Sequence, residues 1–324
     1  MIYRDEDLTE EDLFQFISDK EGHSVFWGNH FKDETIASML RKDHGDYLPW
    51  SKTHHDILLR PGEMSLWSGI NGHKKSLMLV QIMLWLARTQ KVGVMSFELT
   101  VAATIHRMAQ QAAGCKPWKE FIKQFCDWTD QRICYYDKLD SVPRTEVLGA
   151  VHNMATEKEC KHIVIDSLMM VQLPRGDDGE RLFVEKLAAA AKAHQIHIHL
   201  VHHMRKPPDS KGDAYVPNRF DVRGDSGIVD KVDNLFIVWE DKKRKRLKQK
   251  IAQSGTLDDK EQEYFNDNRN PDQRLICAKQ RHGSWEGTKG LYFHDDSLQF
   301  TGTNSDQPMP FLLEDEPTQS TMEV

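Results

Sequence analysis

Gly69-Ile70-Asn71-Gly72-His73-Lys74-Lys75-Ser76 is the stretch of sequence that decides the fold. It follows a short apolar run at 64–67 and precedes a longer apolar run at 77–86, so a strand, a glycine-rich loop and a helix are predicted in succession. In such a loop the backbone N–H groups form a nest for phosphate oxygens, and the helix N-terminus adds a partial positive charge. The stretch therefore predicts a phosphate-binding loop. Taken without its flanking segments, the same sequence also fits a glycine turn that precedes a basic helix.

The loop follows the pattern of glycine, four residues, glycine, lysine and serine or threonine at every position but one. Lys75 is predicted to reach the β- and γ-phosphates, and Ser76 to hold Mg²⁺ through its hydroxyl. Lys74 stands where the second glycine is expected, a position at which the backbone approaches phosphate closely. The Lys74 side chain either crowds the β-phosphate or turns outward, and we expect slower ATP turnover than in a Lys74→Gly variant. The residues predicted to contact ATP are Gly69, Asn71, Gly72, His73, Lys74, Lys75, Ser76 and Leu77.

Two further predicted strands end in a carboxylate. Residues 91–98 form an apolar run that ends in Glu98, and the apolar run at 162–165 leads into Asp166. Carboxylates at the carboxyl ends of central strands lie beside the phosphate site in open α/β sheets. Glu98 is therefore a candidate general base that orients the attacking water, or else a carboxylate at a helix N-cap. Asp166 is predicted to bind Mg²⁺, directly or through water.

A fourth strand, at 195–201, leads to His203, which is our candidate sensor of the γ-phosphate. Zinc is disfavoured in this histidine-rich segment, because strand alternation divides the histidines between two faces without a matching carboxylate or cysteine. A long polar loop follows, and such loops are usually functional or disordered. The basic residues of this loop predicted to contact a phosphate backbone are Arg205, Lys206, Lys211 and Arg223.

Composition bounds the class of protein. The 324 residues suffice for one α/β domain with appendages or for two small domains, and 39% hydrophobic content supports a buried core. The net charge of −7 means that any nucleic-acid contact comes from local basic patches. We expect a reduced, cytoplasmic protein, because the five cysteines lack CxxC spacing and the sequence shows no signal sequence. We also expect that it does not enter a membrane, because no apolar run is long enough to span one.

We expect three parts along the chain: a helical N-terminal extension or linker at 1–57, an ATPase domain at 58–302 and an acidic, disordered tail at 303–324. The extension is predicted either to dock on a neighbouring subunit or to cover its own core, and a capping box is predicted at 9–12. Residues 291–293 and 298–300 predict a closing hairpin. The basic run at 242–250 suits nucleic-acid contact and a solvated helix equally well.

Seven segments, in order, resemble the ATPase domain of DnaB-like replicative helicases, and most closely the phage and Twinkle-like branch. They are residues 60–63, 69–76, 96–98, 165–167, 203–206, 223–227 and 279–281, the last accompanied by 285–287. The resemblance implies an α/β fold with a RecA-like P-loop ATPase core, in which helices flank a mostly parallel central sheet. It also implies ATP and Mg²⁺ as cofactors, single-stranded DNA as partner, and a homo-oligomer in the form of a hexameric ring.

The resemblance assigns roles to the matching residues. Glu98 becomes the catalytic carboxylate, Asp166 supports Mg²⁺, and His203 couples the γ-phosphate to the DNA-binding loop. Arg281 resembles an arginine finger inserted into the neighbouring subunit's site, with Lys279 beside it. Replication partners would include a polymerase, a primase or a single-strand-binding protein, in the host cytoplasm if the protein is phage-encoded. Two alternatives stay open: a RecA-like recombination ATPase that forms filaments on DNA, and a non-hydrolysing DNA- or protein-binding module silenced by Lys74.

Overall fold

The computed structural model describes residues 27–33, 35–36, 45–174, 178–207, 212, 215–224, 227–267, 269–309 and 311. The chain divides into two compact units, Met1–His44 and Gly45–Val324. In the first unit, the described residues form a 3-10 turn at Gly28–Phe31 followed by helical residues at 32–33 and 35–36. The capping box predicted at 9–12 lies outside the described residues.

The second unit is built on a nine-stranded sheet with the order β11-β10-β9-β8-β1-β7-β5-β2-β3, beside a two-stranded sheet of β4 and β6. The strands are β1 (Met64–Ser68), β2 (Val92–Ser96), β3 (Ile133–Tyr136), β4 (Val142–Pro143), β5 (His162–Asp166), β6 (Val171–Gln172), β7 (His197–Val201), β8 (Asn234–Glu240), β9 (Gln273–Gln280), β10 (Gly287–His294) and β11 (Gln299–Thr301). Strands β8, β1, β7, β5, β2 and β3 run parallel, and β9, β10 and β11 continue the sheet antiparallel. The predicted mostly parallel sheet is confirmed, and the predicted closing hairpin is β10–β11.

Helices cover the sheet. They are α1 (Lys75–Leu86), α2 (Val101–Ala113), α3 (Lys119–Thr129), α4 (Arg144–Thr156), α5 (Asp178–His194), α6 (Gly227–Lys231), α7 (Lys242–Ser254) and α8 (Asp259–Asn266). Because successive strand residues point to opposite faces, the sheet separates two apolar cores. Trp67 of β1 lies in the core that contains α1, and its neighbour Leu66 lies in the other core. Strands buried on both faces explain the continuous apolar runs seen in the sequence.

The second unit begins earlier than the sequence predicted. Leu48, Trp50 and Ile57, which we assigned to the N-terminal extension, are buried in the same core as α1. The indole N–H of Trp50 donates to the carbonyl of Phe300 at 2.7 Å. The polar residues between these apolar side chains concealed their periodicity, and the contact joins residues far apart in the chain. Residues 45–57 therefore belong to the compact unit that carries the sheet.

The second unit also continues beyond the predicted end at 302. The backbone N–H of Met309 donates to the side-chain oxygen of Gln299 at 2.8 Å, and Phe311 is buried in the core. The part of the predicted tail beyond 311 lies outside the described residues. The predicted boundary at 302 rests on the acidic, proline-containing composition that follows it. Composition alone does not show that one aromatic residue in this stretch, Phe311, is buried.

The basic run at 242–250 lies in helix α7, between β8 and β9. Asp241 caps the helix, since its side chain accepts from the backbone N–H of Arg244 at 2.9 Å. Arg244 is buried and pairs with Asp272 at 2.7 Å, and Leu247 is buried as well. The helix therefore contributes to the packed unit on one side. No helix in the described part of the chain is long and apolar enough to cross a membrane.

Candidate functional site

The phosphate loop connects the end of β1 to the start of α1, as the sequence predicted. Gly69 lies against β8, where a Cβ atom would come within 2.4 Å of the Val238 carbonyl oxygen, so a side chain has no room there. Gly72 adopts a φ of 78° and Lys74 a φ of 65°. Lys74 thus has the left-handed backbone conformation that favours glycine, which explains why glycine was expected at this position.

The Lys74 side chain turns outward, away from the loop. Its ammonium group donates to the carboxylate of Glu240, at the end of β8, and lies 4.4 Å from the centroid of the Phe293 ring. Glu240 is buried, and Lys242 donates to the same carboxylate. The backbone N–H of Glu240 also donates to Nδ1 of His73 at 2.9 Å. Of the two orientations that the sequence left open for Lys74, the structure has the outward one.

Lys75 stays inside the loop. Its ammonium group donates to the carbonyl oxygens of Gly69 at 2.8 Å and Ile70 at 3.2 Å. Burial lowers the pKa of Lys75 to about 8, while the charges of Asp166 and Glu98 oppose that shift. A cation held within the loop, close to two carboxylates, is suited to binding phosphate oxygens.

Asp166 and Glu98 meet at the carboxyl edge of the sheet. Strands β2 and β5 pair in parallel with Ser96 opposite Asp166, so the two carboxylates follow neighbouring strand ends. The hydroxyl of Ser76 is hydrogen-bonded to Asp166. Burial raises the pKa of Asp166 to about 6, against the opposing effects of Ser76 and Lys75. Glu98 is half exposed, and the Ser167 hydroxyl lies 3.4 Å from its Oε1 atom.

Ser76 and Asp166 have the chemistry that a magnesium ion requires. A hydroxyl and a carboxylate supply the hard oxygen ligands that Mg²⁺ prefers. A nearby cation also favours the ionised form of a buried carboxylate whose pKa is raised. Among the described residues, no group of three or more His, Cys, Asp or Glu side chains is arranged to hold a metal ion. The hydroxyl of Ser76 and the carboxylate of Asp166 therefore fit Mg²⁺ by their chemistry.

His203 lies on the same edge, beyond the end of β7. Its Nε2 atom is 3.8 Å from Oε1 of Glu98. Burial, and next the charge of Lys75, lower the pKa of His203, so the imidazole is neutral near pH 7. Its Nδ1 atom is buried and has no hydrogen-bond partner in the described part of the chain. A neutral ring with an unsatisfied nitrogen at this place is suited to a hydrogen bond with a phosphate oxygen.

These groups line one cavity of about 520 Å³. Of the predicted nucleotide-binding residues, the structure brings six to it, and they are Asn71, Gly72, Lys74, Lys75, Ser76 and Leu77. Glu98, Asp166 and His203 line the same cavity. Gly69 and His73 support the loop from behind instead, through their contacts with β8.

Four residues of the cavity were not predicted to bind nucleotide: Arg107 on α2, Met169, Val201 at the end of β7, and Arg223. Arg223 was predicted to contact DNA, but it lines the nucleotide cavity, where its guanidinium lies 3.6 Å from the sulfur of Met169. The charge of Arg107 favours ionised Asp166 and so lowers its pKa. No motif marked Arg107, which reaches the site only because α2 packs beside α1.

Comparisons with known proteins identify the fold. A sequence-family comparison matches residues 52–209 to the AAA domain family. A solved ATPase domain of a DnaB-like helicase superposes with a TM-score of 0.64 at 13% identity, covering 85% of this chain and 97% of that one. The chain has the fold of a DnaB-like helicase ATPase domain. A second solved structure, a DnaB-like replicative helicase described with its interactions with primase, superposes with a TM-score of 0.65 at 12% identity, covering 90% of this chain and 69% of that one. No curated protein matches the sequence significantly.

The DnaB-like fold confirms the RecA-like core that the motifs predicted. The narrower assignment to the phage and Twinkle-like branch stays a prediction. Since both structural relatives are below 15% identity, the likeness shows the fold, and the roles of single residues rest on the geometry of this site.

Lys279 and Arg281 lie at the opposite end of the sheet from the phosphate loop. Gln280 pairs with Asn234 at the start of β8, whereas the loop follows the end of β1, which runs parallel to β8. The ammonium group of Lys279 donates to the carbonyl of Val232 at 2.7 Å. The guanidinium of Arg281 donates to Asp233 at 3.0 Å and remains partly exposed. Neither side chain lines the nucleotide cavity of its own chain.

The predicted DNA-binding loop leaves the site directly after His203. Arg205 and Lys206 are exposed, whereas Lys211 lies outside the described residues. A β-bridge joins Met204 to Val222, and the backbone N–H of Arg223 donates to the carbonyl of His203 at 3.0 Å. The loop therefore returns to the nucleotide cavity at its far end.

The histidine-rich strand packs in the interior of the domain. His197 and His199 are buried, and Nε2 of His199 lies 3.2 Å from Nδ1 of His162. Nε2 of His162 contacts Asp46 at 3.0 Å. Burial lowers the pKa of His197 to about 3 and that of His199 well below its usual value. Burial therefore keeps the rings of His197 and His199 neutral, and their partners are other side chains and a backbone carbonyl.

Proposed function

We propose that the protein is an ATP-dependent DNA helicase motor that translocates on single-stranded DNA and unwinds duplex DNA during replication. The observation that supports this most is the convergence of Lys75, Asp166, Glu98 and His203 on one cavity at the carboxyl edge of the sheet. The DnaB-like fold, shared with helicase ATPase domains, favours the same function.

Each residue of the cavity has a role in this proposal. The loop amides and Lys75 bind the β- and γ-phosphates of ATP. Ser76 and Asp166 would hold Mg²⁺, which supplies positive charge to the phosphate oxygens. Glu98 orients the attacking water and accepts its proton, for which its half-exposed carboxylate beside Ser167 is accessible. His203 binds the γ-phosphate through a neutral ring and transmits the contact to the loop that follows.

We further propose that ATP is hydrolysed at subunit interfaces of a homo-oligomeric ring, which we take to be a hexamer. Arg281 does not line the cavity of its own chain, and it is partly exposed and held by Asp233. An arginine supplied to a neighbouring site lowers the barrier to phosphoryl transfer. Lys279 lies beside it and positions the end of β9 through three carbonyl contacts.

The first experiment is phosphate release from ATP and Mg²⁺, with and without single-stranded DNA. Glu98→Gln and Arg281→Ala should each abolish DNA-stimulated turnover. A mixture of these two inactive variants should regain turnover, because some interfaces then combine an intact Glu98 with an intact Arg281 from the adjacent subunit. No recovery in mixtures that still co-assemble would refute hydrolysis in trans. No turnover in the unsubstituted chain, with nucleotide binding retained, would favour the non-hydrolysing binding module.

Electron microscopy separates the helicase from the recombination ATPase, since closed rings around a single strand favour the former and open filaments the latter. Replication partners are part of the proposal: one structural relative is described with its interactions with primase. We therefore propose a primase, a polymerase or a single-strand-binding protein as partner, and action in the cytoplasm. Pull-down of a purified primase by this chain is the direct measurement.

A further inference from the structure

Phe220 is an exposed aromatic residue that the folded core does not use. Its exposed fraction is 74%, the highest among the large apolar side chains described in the second unit. It lies in the 3-10 turn Arg219–Asp221, between the predicted DNA-binding loop and helix α6. The guanidinium of Arg219 lies 4.9 Å from the centroid of the Phe220 ring. The ring therefore contributes little to the core, and its face is accessible to a ligand.

The turn that carries Phe220 is held firmly. The side chain of Asn218 accepts from the backbone N–H of Phe220 at 2.9 Å. The carboxylate of Asp221 accepts from the backbone N–H of Asn218 and from the hydroxyl of Tyr215, both at 2.7 Å. The carbonyl of Asp221 accepts from the backbone N–H of Arg205 at 2.8 Å. Hydrogen bonds therefore fix the backbone of the turn that exposes the ring, which lowers the entropic cost of binding a ligand.

The surroundings of the ring are basic. Between 202 and 224 the sequence has five Arg or Lys residues and three Asp residues, which leaves a net charge of +2 in a chain of net charge −7. The basic residues that the structure describes are Arg205, Lys206, Arg219 and Arg223. Asp221 is itself engaged in capping the turn. Charge of this sign beside an exposed ring complements a phosphate backbone that carries aromatic bases.

The turn is also joined to the nucleotide cavity by short backbone contacts. The bridge from Met204 to Val222 and the bond from Arg223 to the carbonyl of His203 connect it to two residues of the cavity. Phe220 is thus three residues from Arg223, which lines the cavity and is bonded to the proposed γ-phosphate sensor, His203.

We propose that the Arg219–Phe220 pair is a stacking platform for an unpaired base of single-stranded nucleic acid, with Arg205 and Lys206 on the flanking phosphates. This proposal rests on the proposed function and specifies how the loop binds single-stranded nucleic acid. The platform reads no sequence, because every base offers a flat aromatic face. If the ring bound a protein partner instead, removal of the bases from the oligonucleotide would not alter the effect of Phe220→Ala, and that result would contradict the proposal.

The test is fluorescence anisotropy with a labelled oligonucleotide in DNA and RNA forms, in the presence of a non-hydrolysable ATP analogue and Mg²⁺. Phe220→Ala should raise the Kd about 5- to 150-fold, the range that loss of one stacked base produces. Phe220→Trp should restore the affinity. On an oligonucleotide that carries abasic sites throughout, the unsubstituted chain and Phe220→Ala should bind equally. Since the ring is exposed, the substitution does not endanger folding, which circular dichroism verifies.

Two matched variants separate stacking from charge and from general aromatic exposure. Trp118→Ala removes another exposed aromatic residue, at the start of α3, and should leave the Kd unchanged. Arg205→Ala should reduce the slope of log K against log salt concentration by about 0.7, whereas Phe220→Ala should leave that slope unaltered.

An unchanged Kd in Phe220→Ala, or an equal loss on abasic and normal strands, would overturn the platform while leaving the helicase proposal in place. Failure of the unsubstituted chain to bind any single strand would overturn both proposals. Tighter binding of the RNA form than of the DNA form would keep the platform and contradict a DNA substrate.

Discussion

Lys74 offers a prediction in which two effects can be separated. Its backbone has a φ of 65°, and a non-glycine residue in the left-handed region costs about 1 kcal/mol relative to glycine. Its ammonium group donates to the buried Glu240 carboxylate, and a hydrogen bond to a charged group contributes about 1.5–3 kcal/mol. Lys242 still pairs with Glu240 when Lys74 is removed, so the lower part of that range applies.

Lys74→Ala loses the bond to Glu240 and keeps the backbone cost, so the free energy of unfolding should fall by about 2 kcal/mol. Lys74→Gly loses the same bond but relieves the backbone, so the fall should be about 1 kcal/mol. The midpoint temperatures of the two variants should differ by about 2 °C in a domain of this size. Urea unfolding followed by tryptophan fluorescence measures the free energies, and a thermal scan measures the midpoints. As a control, Gln131 has a φ of 60° and an exposed side chain, and Gln131→Gly should exceed Gln131→Ala in stability by a similar amount.

Equal stability of the Ala and Gly variants at position 74, with the expected difference present at position 131, would refute the account of the loop backbone. Turnover gives a second readout. From the sequence we expected faster turnover in Lys74→Gly, but an ammonium group that turns outward does not crowd the β-phosphate. We therefore expect turnover of Lys74→Gly within about threefold of the unsubstituted chain, roughly 0.6 kcal/mol in activation free energy. A tenfold rise would show that Lys74 obstructs the site.

Three further predictions use buried titratable groups. Since the pKa of Asp166 is raised to about 6, kcat/KM for ATP should fall as the pH drops through 6 and the carboxylate that would hold Mg²⁺ is protonated; a profile flat to pH 5 would contradict this. Burial lowers the pKa of His197 to about 3 in the folded state, so the unfolded state binds more protons below pH 6.5. The free energy of unfolding measured in urea should therefore be about 2 kcal/mol lower at pH 5 than at pH 7 because of this residue. His197→Asn should flatten that pH dependence. The sulfur atoms of Cys134 and Cys160 lie 3.4 Å apart, so diamide, which removes two electrons and two protons, should join them in a disulfide that peptide mapping detects and that Cys134→Ser prevents.

The features that the sequence predicted correctly are those set by local pattern. The strand, loop and helix around Gly69–Ser76 needed only neighbouring residues, and parallel pairing of β2 with β5 then brings Glu98 near Asp166 without further information. The antiparallel hairpin of β10 and β11 was likewise visible from two apolar runs around a turn.

The features that it did not predict depend on contacts between residues distant in the chain. The outward turn of Lys74 depends on Glu240, 166 residues later, and the burial of Trp50 depends on a carbonyl 250 residues later. The position of Arg223 in the nucleotide cavity follows from the bridge between Met204 and Val222, which folds the long loop back on itself. A basic residue in a polar loop looks the same in sequence whether it faces DNA or ATP.

The contacts of the phosphate loop also indicate which part of the site can transmit a change of nucleotide. On its outer side the loop is tied to β8, because Glu240 binds both the ring of His73 and the ammonium group of Lys74. A loop fastened to a central strand moves little when phosphate arrives. The other wall of the cavity is formed by His203 and Arg223, which are joined by a single backbone bond and carry an exposed loop between them. We therefore propose that a displacement caused by a bound γ-phosphate occurs at the wall that leads to the Arg219–Phe220 pair, and that the segment from 203 to 223 couples ATP binding to strand binding.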